Sequence, residues 1–237
     1  AQKPGGHWAN TGLTTTNVPP ARHENPGAAS KSKLYVFGGH SNNNTSFFND
    51  LWSFDGKAWT LETRDGATGS PPARHRAAIC WDDARNKLVV FGGSNASGVL
   101  GDLWEWDPTS KAWTQITTAL APSKRQFSSM AYDPSSRSII LFGGLSTQHE
   151  NDTWRLLSGR IWRKEAPRTS PPARRQHHLV TRFGAGDILL CGGQNVTPRK
   201  VQFKDVWSFK AGQWTLLTPS TATRPANVVA NNAFYDE

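Results

Sequence analysis

The sequence is poor in sulfur, in tyrosine and in long apolar runs. Only one methionine, two cysteines and three tyrosines occur among its 237 residues. No apolar run approaches the roughly 20 residues of a membrane-spanning helix. No stretch shows sustained apolar spacing at three and four residues either, so long helices are not expected.

A basic arm is also missing, although the chain is basic. The formal net charge is +9 and the sequence pI is about 9.9, which favours acidic partners. Lysine and arginine are spread along the chain instead of forming the clusters typical of nucleic-acid binders. We therefore expect no nucleic-acid partner. Cys80 and Cys191 each lie in an apolar run, which favours buried, unpaired thiols.

Aromatic residues, glycine and proline are abundant instead. Eleven tryptophans and eleven phenylalanines occur beside 21 glycines and 15 prolines. This composition predicts an all-β domain with an aromatic core and many turns.

A unit of about fifty residues recurs four times. It reads as an apolar run, a Gly-Gly pair, a loop, an Asp-x-Trp and a later Trp, as in "LVVFGGSNASGVLGDLWEWDPTSKAWT" at 88–114. The Gly-Gly pairs begin at Gly38, Gly92, Gly143 and Gly192, with spacings of 54, 51 and 49 residues. Each unit contains four strand-like pieces, which is typical of a β-propeller blade.

This pattern resembles the kelch repeat over nearly the whole chain. The resemblance implies a kelch-type β-propeller, most often a binding module and sometimes an enzyme. Pieces such as "MAYDPSSRSIILFGG" look like bacterial, often exported, kelch proteins, which favours a secreted or cell-surface location. We expect four complete four-stranded blades at 18–66, 67–119, 120–167 and 168–222.

The two ends of the chain predict parts of a fifth blade. Residues 1–17, around Trp8, match an outer strand, and residues 223–237, around Phe234, match an inner strand. The middle strands of that blade are missing from the sequence. We therefore expect open edge strands through which another chain could associate.

Arginines recur where each innermost strand begins, on the face to which the loops after the Gly-Gly pairs also point. They are Arg22, Arg74, Arg125 and Arg174. Two interpretations stay open. A ring of guanidinium groups would bind carboxylates, phosphates or sulfates; alternatively, the arginines bridge blades by pairing with loop carbonyls or with the Asp-x-Trp aspartates.

The neighbours of these arginines vary in chemistry, which is typical of specificity positions on a regular scaffold. The predicted ligand-binding residues are Arg22, Arg74, Arg76, Arg125, Arg174, Arg175, Glu24, Phe127, Gln176 and His177. The repeated glycines, tryptophans and aspartates are interpreted as architecture. Phe47 and Phe203 offer an alternative contact surface on the loops.

No catalytic residue, metal site or cofactor is predicted. The copper site of galactose oxidase, another kelch propeller, would need tyrosines and a cysteine that Tyr35, Tyr132 and Tyr235 do not supply, because all three lie in strand positions. His177 and His178 are adjacent on a predicted strand and so point to opposite faces, which is poor geometry for binding one metal ion.

The sequence thus predicts a non-catalytic module that recognises an acidic peptide or protein surface, with an anionic glycan as a second ligand class. The alternative of another class is an enzyme acting on a small acidic or carbohydrate substrate in the central channel.

Overall fold

A computed structural model describes residues 17–41 and 46–218. These residues form four four-stranded antiparallel sheets and two short hairpins, with no helix among them. The all-β prediction is confirmed. The strands expected around Trp8 and Phe234 lie outside the described residues, so a fifth blade and closure into a ring stay predictions. Within the described ranges no helix is long and apolar enough to cross a membrane.

Each sheet lies within one repeat unit, and its strands are hydrogen-bonded in chain order. Sheet 1 contains β1 (Gly27–Ala29), β2 (Leu34–His40), β3 (Phe47–Phe54) and β4 (Trp59–Thr63). Sheet 2 begins with β5 (Ala78–Asp82) and β6 (Lys87–Phe91), continues after the hairpin of β7 (Ser94–Asn95) and β8 (Gly98–Val99), and ends with β9 (Leu103–Trp106) and β10 (Trp113–Ile116).

The other two sheets repeat this plan. Sheet 3 contains β11 (Ser129–Asp133), β12 (Ser138–Leu145), β13 (His149–Leu157) and β14 (Ile161–Lys164). Sheet 4 begins with β15 (His178–Arg182) and β16 (Asp187–Cys191), continues after the hairpin of β17 (Gln194–Asn195) and β18 (Val201–Gln202), and ends with β19 (Val206–Lys210) and β20 (Gln213–Leu216).

Local chemistry fixes the turns between strands. In the turn from β5 to β6, the Asp82 carboxylate accepts hydrogen bonds from the backbone N–H groups of Ala84 and Arg85 at 3.0 and 3.1 Å. Asn86 then takes a left-handed φ of 55°, which asparagine tolerates better than most residues. The apolar run of β6 that follows is buried on both faces, as expected of a sheet covered on two sides.

Tryptophans fill the space between neighbouring sheets. The second Trp of a unit packs against the phenylalanine of the second strand in the preceding sheet. The ring centroids are 5.2 Å apart for Phe37–Trp113, 5.5 Å for Phe91–Trp162 and 5.2 Å for Phe142–Trp214. These tilted and edge-on contacts confirm that the repeated tryptophans are architecture.

At each of the first three Gly-Gly pairs, the backbone of one sheet is hydrogen-bonded to the segment that leads into the next sheet. The amide of Gly39 donates a 2.8 Å hydrogen bond to the carbonyl of Arg74 in sheet 2. A Cβ on Gly38 would lie 2.5 Å from the same carbonyl oxygen, and Gly38 has a φ of 59°. Only glycine fits this crossing without strain. The same link joins sheet 2 to sheet 3 and sheet 3 to sheet 4.

The first strands of the four sheets, β1, β5, β11 and β15, adjoin one another in succession. Their N-terminal ends surround a cavity of 380 Å³. Both cysteines are free thiols: Cys80 is buried in β5, and Cys191 in β16 is partly buried.

Candidate functional site

The repeated arginine is locked into its own sheet. In sheet 2, the Arg74 guanidinium donates two parallel hydrogen bonds to the carboxylate of Asp102, Nη1–Oδ1 at 2.6 Å and Nη2–Oδ2 at 2.7 Å. Nη1 also donates to the Gly92 carbonyl at 3.0 Å, and Nε donates to the Pro72 carbonyl at 2.9 Å. This bidentate geometry is the strongest form of side-chain ion pair.

The other three units repeat the arrangement. The pairs are Arg22–Asp50, Arg125–Asp152 and Arg174–Asp205, each with a closest N–O distance of 2.6 Å. In every unit the tryptophan of Asp-x-Trp donates its Nε1–H to the same aspartate. Phe48 covers the guanidinium of Arg22 at 4.6 Å, and Phe203 covers that of Arg174 at 3.9 Å.

These arginines are buried, so the structure corrects the expectation that they offer free guanidinium groups to a ligand. Arg74 and Arg174 are 0% exposed and Arg125 is 1% exposed, while the Arg22 side chain is 4% exposed. Burial opposes ionisation of three of the paired aspartates, which are Asp102, Asp152 and Asp205. Hydrogen bonds from the arginines nevertheless hold the pKa of each below its usual value. Of the two interpretations left open by the sequence, the structure has the pairing with loop carbonyls and Asp-x-Trp aspartates, but each pair lies within one repeat unit, so these side chains do not bridge blades.

The residue two positions after each arginine has an unusual backbone conformation. Glu24, Arg76, Phe127 and Gln176 have φ values of 52°, 57°, 57° and 56°. Their backbones form a hydrogen-bonded chain across the sheets, because each N–H donates to the carbonyl of the preceding member at 3.0, 2.9 and 3.2 Å. A non-glycine residue in this region costs about 1 kcal/mol. Backbone preference therefore does not explain these four side chains, which makes them functional candidates.

All four sheets contribute to the cavity below these residues. Its wall consists of residues 23–27, 76–79, 127–130 and 176–179. The predicted positions Glu24, Arg76, Phe127 and Gln176 are thus brought together at one site, which we call the cavity mouth.

His177 lies in the wall, but its side chain is buried. The residue is 3% exposed, and Nε2 lies 3.1 Å from the Phe142 carbonyl, to which it donates. Burial, followed by the charges of Arg174 and His178, lowers the pKa of His177 to about 3. The expectation that this ring binds a ligand is corrected, because it is a neutral histidine packed between sheets.

One side of the mouth is cationic. The guanidinium carbons of Arg76 and Arg175 lie 4.5 and 5.4 Å from the centroid of the Phe127 ring. Nε of Arg175 is buried and makes no hydrogen bond to any described residue. Burial, and then the charge of Arg175, lowers the pKa of nearby His149. Arg76 and Phe127 line the cavity, whereas Arg175 contacts Phe127 without lining it; we call these three residues the cationic side.

The other side combines a carboxylate with two histidines. Oε2 of Glu24 lies 2.6 Å from Nε of Arg76, 3.2 Å from Nε2 of His40 and 3.0 Å from Nδ1 of His75. Burial opposes ionisation of Glu24, but His75 and Arg76 beside it lower its pKa to about 2. Glu24 lines the cavity, whereas His40 and His75 contact Glu24 without lining it; we call these three residues the Glu-His side.

Sequence reasoning missed the two histidines of this side. The position after each arginine forms a β-bridge with the position after each Gly-Gly pair: His23 with His40, His75 with Ser94, Gln126 with Leu145 and Arg175 with Gln194. The position after the arginine and the position after the Gly-Gly pair recur in every unit, and comparing these two positions in the sequence could have identified His40 and His75. Because they lie in different sheets, their closeness is not visible in linear spacing.

Comparison with known proteins gives a family match and several relatives. Residues 6–193 match the model described as "KLHDC2/KLHL20/DRC7 Kelch-repeats domain". The chain is 33% identical over 141 residues to dynein regulatory complex subunit 7 of Chlamydomonas reinhardtii, covering 58% of this chain and 11% of that protein. It is 26% identical over 211 residues to kelch domain-containing protein 3 of Rattus norvegicus, covering 82% and 53%.

An enzyme is also among the relatives. N-(sulfonatooxy)prop-2-enimidothioate sulfolyase of Thlaspi arvense is 30% identical over 151 residues, covering 62% of this chain and 42% of that protein. The chain thus spans about half or less of each of these three proteins. The narrower likeness to exported bacterial kelch proteins stays a prediction.

Proposed function

Because the chain belongs to the kelch-repeat family, we propose that it is a protein-interaction module that binds an acidic segment of a partner protein at the cavity mouth. One observation carries the proposal. Two guanidinium groups, those of Arg76 and Arg175, lie over the Phe127 ring at the edge of a cavity built by all four sheets.

Arg175 is the residue best placed to bind a carboxylate. Its Nε is buried without a hydrogen-bond partner among the described residues, whereas the neighbouring Arg174 uses its donors within the fold. Arg175 as a whole is only partly buried, so a carboxylate can approach the exposed part of its guanidinium group rather than the buried Nε. Charge-assisted bonds of this kind are about twice as strong as neutral ones.

Arg76 has a divided role. It donates to Glu24 through Nε and to Gln126 Oε1 through Nη1 at 3.1 Å. Its side chain remains 30% exposed. Arg76 therefore borders the binding site with its charge compensated by Glu24, while Arg175 makes the direct contact.

Cavity size and overall charge are consistent with binding of an acidic side chain of a longer segment. A volume of 380 Å³ lies at the lower end of the range of about 300 to 1,000 Å³ found for small-molecule pockets, so it has room for side chains and not for a whole peptide. The net charge of +9 would steer an acidic segment towards the chain. An anionic glycan is favoured less, because sugars stack on open aromatic faces and guanidinium groups already cover the Phe127 ring.

A peptide array tests the proposal. Twelve-residue peptides of varied sequence are probed at two salt concentrations, and the strongest Glu-rich binder is compared in solution with its Gln counterpart. We expect Arg175→Gln to weaken binding of the Glu peptide by roughly 1.5 to 3 kcal/mol, or about 10- to 150-fold. Binding of the Gln peptide should not change. Added salt should weaken the Glu peptide more, because exposed charges are screened beyond about 8 Å.

Arg137→Gln is the matched control. Arg137 is an exposed arginine with a left-handed φ of 50°, in the turn at the opposite end of β11 from Phe127. Arg137→Gln removes the same charge as Arg175→Gln, but at a distance from the cavity mouth. Equal effects of the two substitutions, or equal affinity for the Glu and Gln peptides, would refute recognition at the cationic side.

An enzyme acting on a small acidic substrate is a second candidate. The observation that favours it is the carboxylate of Glu24 beside His75 and Arg76 at the cavity wall. A panel of small carboxylic acids and acidic sugars, incubated with the protein and analysed by mass spectrometry, tests this candidate. Product that forms with the wild type and not with Glu24→Gln would support it, whereas an unchanged panel would exclude these substrates.

A further inference from the structure

The Glu-His side brings three metal-ligand atoms together. One ligand atom from each of Glu24, His40 and His75 lies within 4.8 Å of the other two, and Oε2 of Glu24 lies 3.2 Å from His40 Nε2 and 3.0 Å from His75 Nδ1. Nitrogen and oxygen ligands about 2.1 Å from a tetrahedral zinc ion lie about 3.4 Å apart. The observed spacing is therefore close to that of an ion-binding triad.

Hydrogen bonding fixes the tautomer of His40. Nδ1 lies 2.9 Å from the carbonyl oxygen of Ser41, and a carbonyl only accepts, so Nδ1 carries the proton. In the neutral ring, Nε2 then presents a lone pair towards the Glu24 carboxylate. Two acceptors in contact need a proton or a cation between them. A backbone carbonyl that orients the opposite ring nitrogen is the usual outer partner of a metal-binding histidine.

His75 supplies an independent observation. The residue is only 8% exposed, yet its Nδ1 makes no hydrogen bond within the described part of the chain. The same atom lies 3.0 Å from Glu24 Oε2, so the contact is close but lacks hydrogen-bond geometry. Buried polar atoms are seldom left unpaired. A third atom between the histidine and the carboxylate would satisfy both.

The surroundings hold the ligands in place. The Phe47 ring packs edge-on against both histidines, with centroids 5.0 Å from His75 and 6.5 Å from His40. The Glu24 side chain is 29% exposed and lines the cavity. Solvent or a ligand can therefore reach the site from the cavity.

We propose that Glu24, His40 and His75 bind a divalent transition-metal ion of the Zn²⁺ class at the wall of the cavity. Two imidazoles and one carboxylate are a donor set that suits zinc and its neighbours, and three protein ligands would leave a fourth coordination position for solvent or a ligand. Arg76 donates to the same Glu24 oxygen at 2.6 Å and therefore competes with the ion. This site is separate from the Arg175 contact, so either proposal can fail alone.

Zinc titration of chelator-washed protein without an affinity tag tests the site. We expect one Zn²⁺ per chain by isothermal titration calorimetry. His40→Gln and His75→Asn should each weaken binding by more than the tenfold seen when an outer-shell partner is lost. Affinity should also fall as the pH is lowered, since protons compete for the ligands. His149→Gln, which changes a histidine of sheet 3, is the matched control and should leave the affinity unchanged.

Arg76→Gln separates a metal site from a structural cluster. Removing the competing guanidinium should raise zinc affinity several-fold, an outcome that a cluster with no ion would not give. Circular dichroism and melting curves without metal confirm that each variant is folded.

Two results would overturn the proposal. One is wild-type zinc binding that is no tighter than binding to the folded His75→Asn variant. The other is an NMR titration in which both rings are protonated at neutral pH, because a proton would then satisfy each contact.

Discussion

Replacing Arg74 by alanine should destabilise the protein strongly, because this arginine is part of the fold. Its guanidinium is fully buried and donates to Asp102, Gly92 and Pro72. Truncation leaves the Asp102 carboxylate partly buried without its main partner. Its backbone also joins sheet 2 to sheet 1, but the substitution leaves that hydrogen bond in place.

The magnitude follows from the burial. Removing one partner of a buried ion pair costs about 3 to 5 kcal/mol. For a domain of this size each kcal/mol lowers Tm by about 2 to 4 °C, so the expected decrease is about 6 to 20 °C. Asp102→Ala should cost a similar amount, because it leaves the guanidinium buried and unpaired. The double variant should cost less than the sum, since neither charge is then left without its partner.

Urea denaturation of the two single variants and the double variant measures the coupling. Arg168→Ala, which removes an exposed arginine, is the control and should change stability by no more than about 0.5 kcal/mol. An Arg74→Ala variant as stable as the control would refute the reasoning, because the arginine would then contribute nothing to the fold.

Three further predictions concern stability and reactivity. Burial lowers the pKa of His177 from 6.5 to about 3 in the folded chain, so its contribution to stability should be complete above pH 6.5 and fall by about 1.4 kcal/mol per pH unit between about pH 6.5 and 3. His177→Asn should flatten this slope in urea titrations. Gly93→Ala should destabilise more than Gly66→Ala in thermal melts, because a Cβ at Gly93 would lie 2.6 Å from a carbonyl while Gly66 has open space. Cys80 is buried and burial raises its pKa, so a thiol reagent should modify it only when the chain unfolds.

Repetition made most of the fold predictable. The apolar runs, Gly-Gly pairs and tryptophans recur in four units, and each unit forms one four-stranded sheet. A single short strand would have been ambiguous, but four copies in register fix the pattern. Packing of the second Trp onto the preceding sheet follows from the same periodicity.

The site was less predictable, because its residues are defined by partners that sequence spacing does not reveal. The sequence could not decide whether Arg74 and its equivalents pair with aspartates or face a ligand, since both lie at the same end of the sheet. The left-handed backbone at Phe127 was also not predictable, because phenylalanine has no preference for it. His40 and His75 meet only through the packing of two sheets.

The adjacent pair Arg174 and Arg175 tests the central claim most directly. The claim is that the repeated arginine holds the fold while its neighbour binds the ligand. The measurement is the affinity of the folded Arg174→Gln and Arg175→Gln variants for the Glu-rich peptide. We expect Arg175→Gln to bind at least tenfold more weakly with unchanged stability. Arg174→Gln should bind like the wild type while its unfolding free energy falls. Loss of affinity in Arg174→Gln and full affinity in Arg175→Gln would contradict the account.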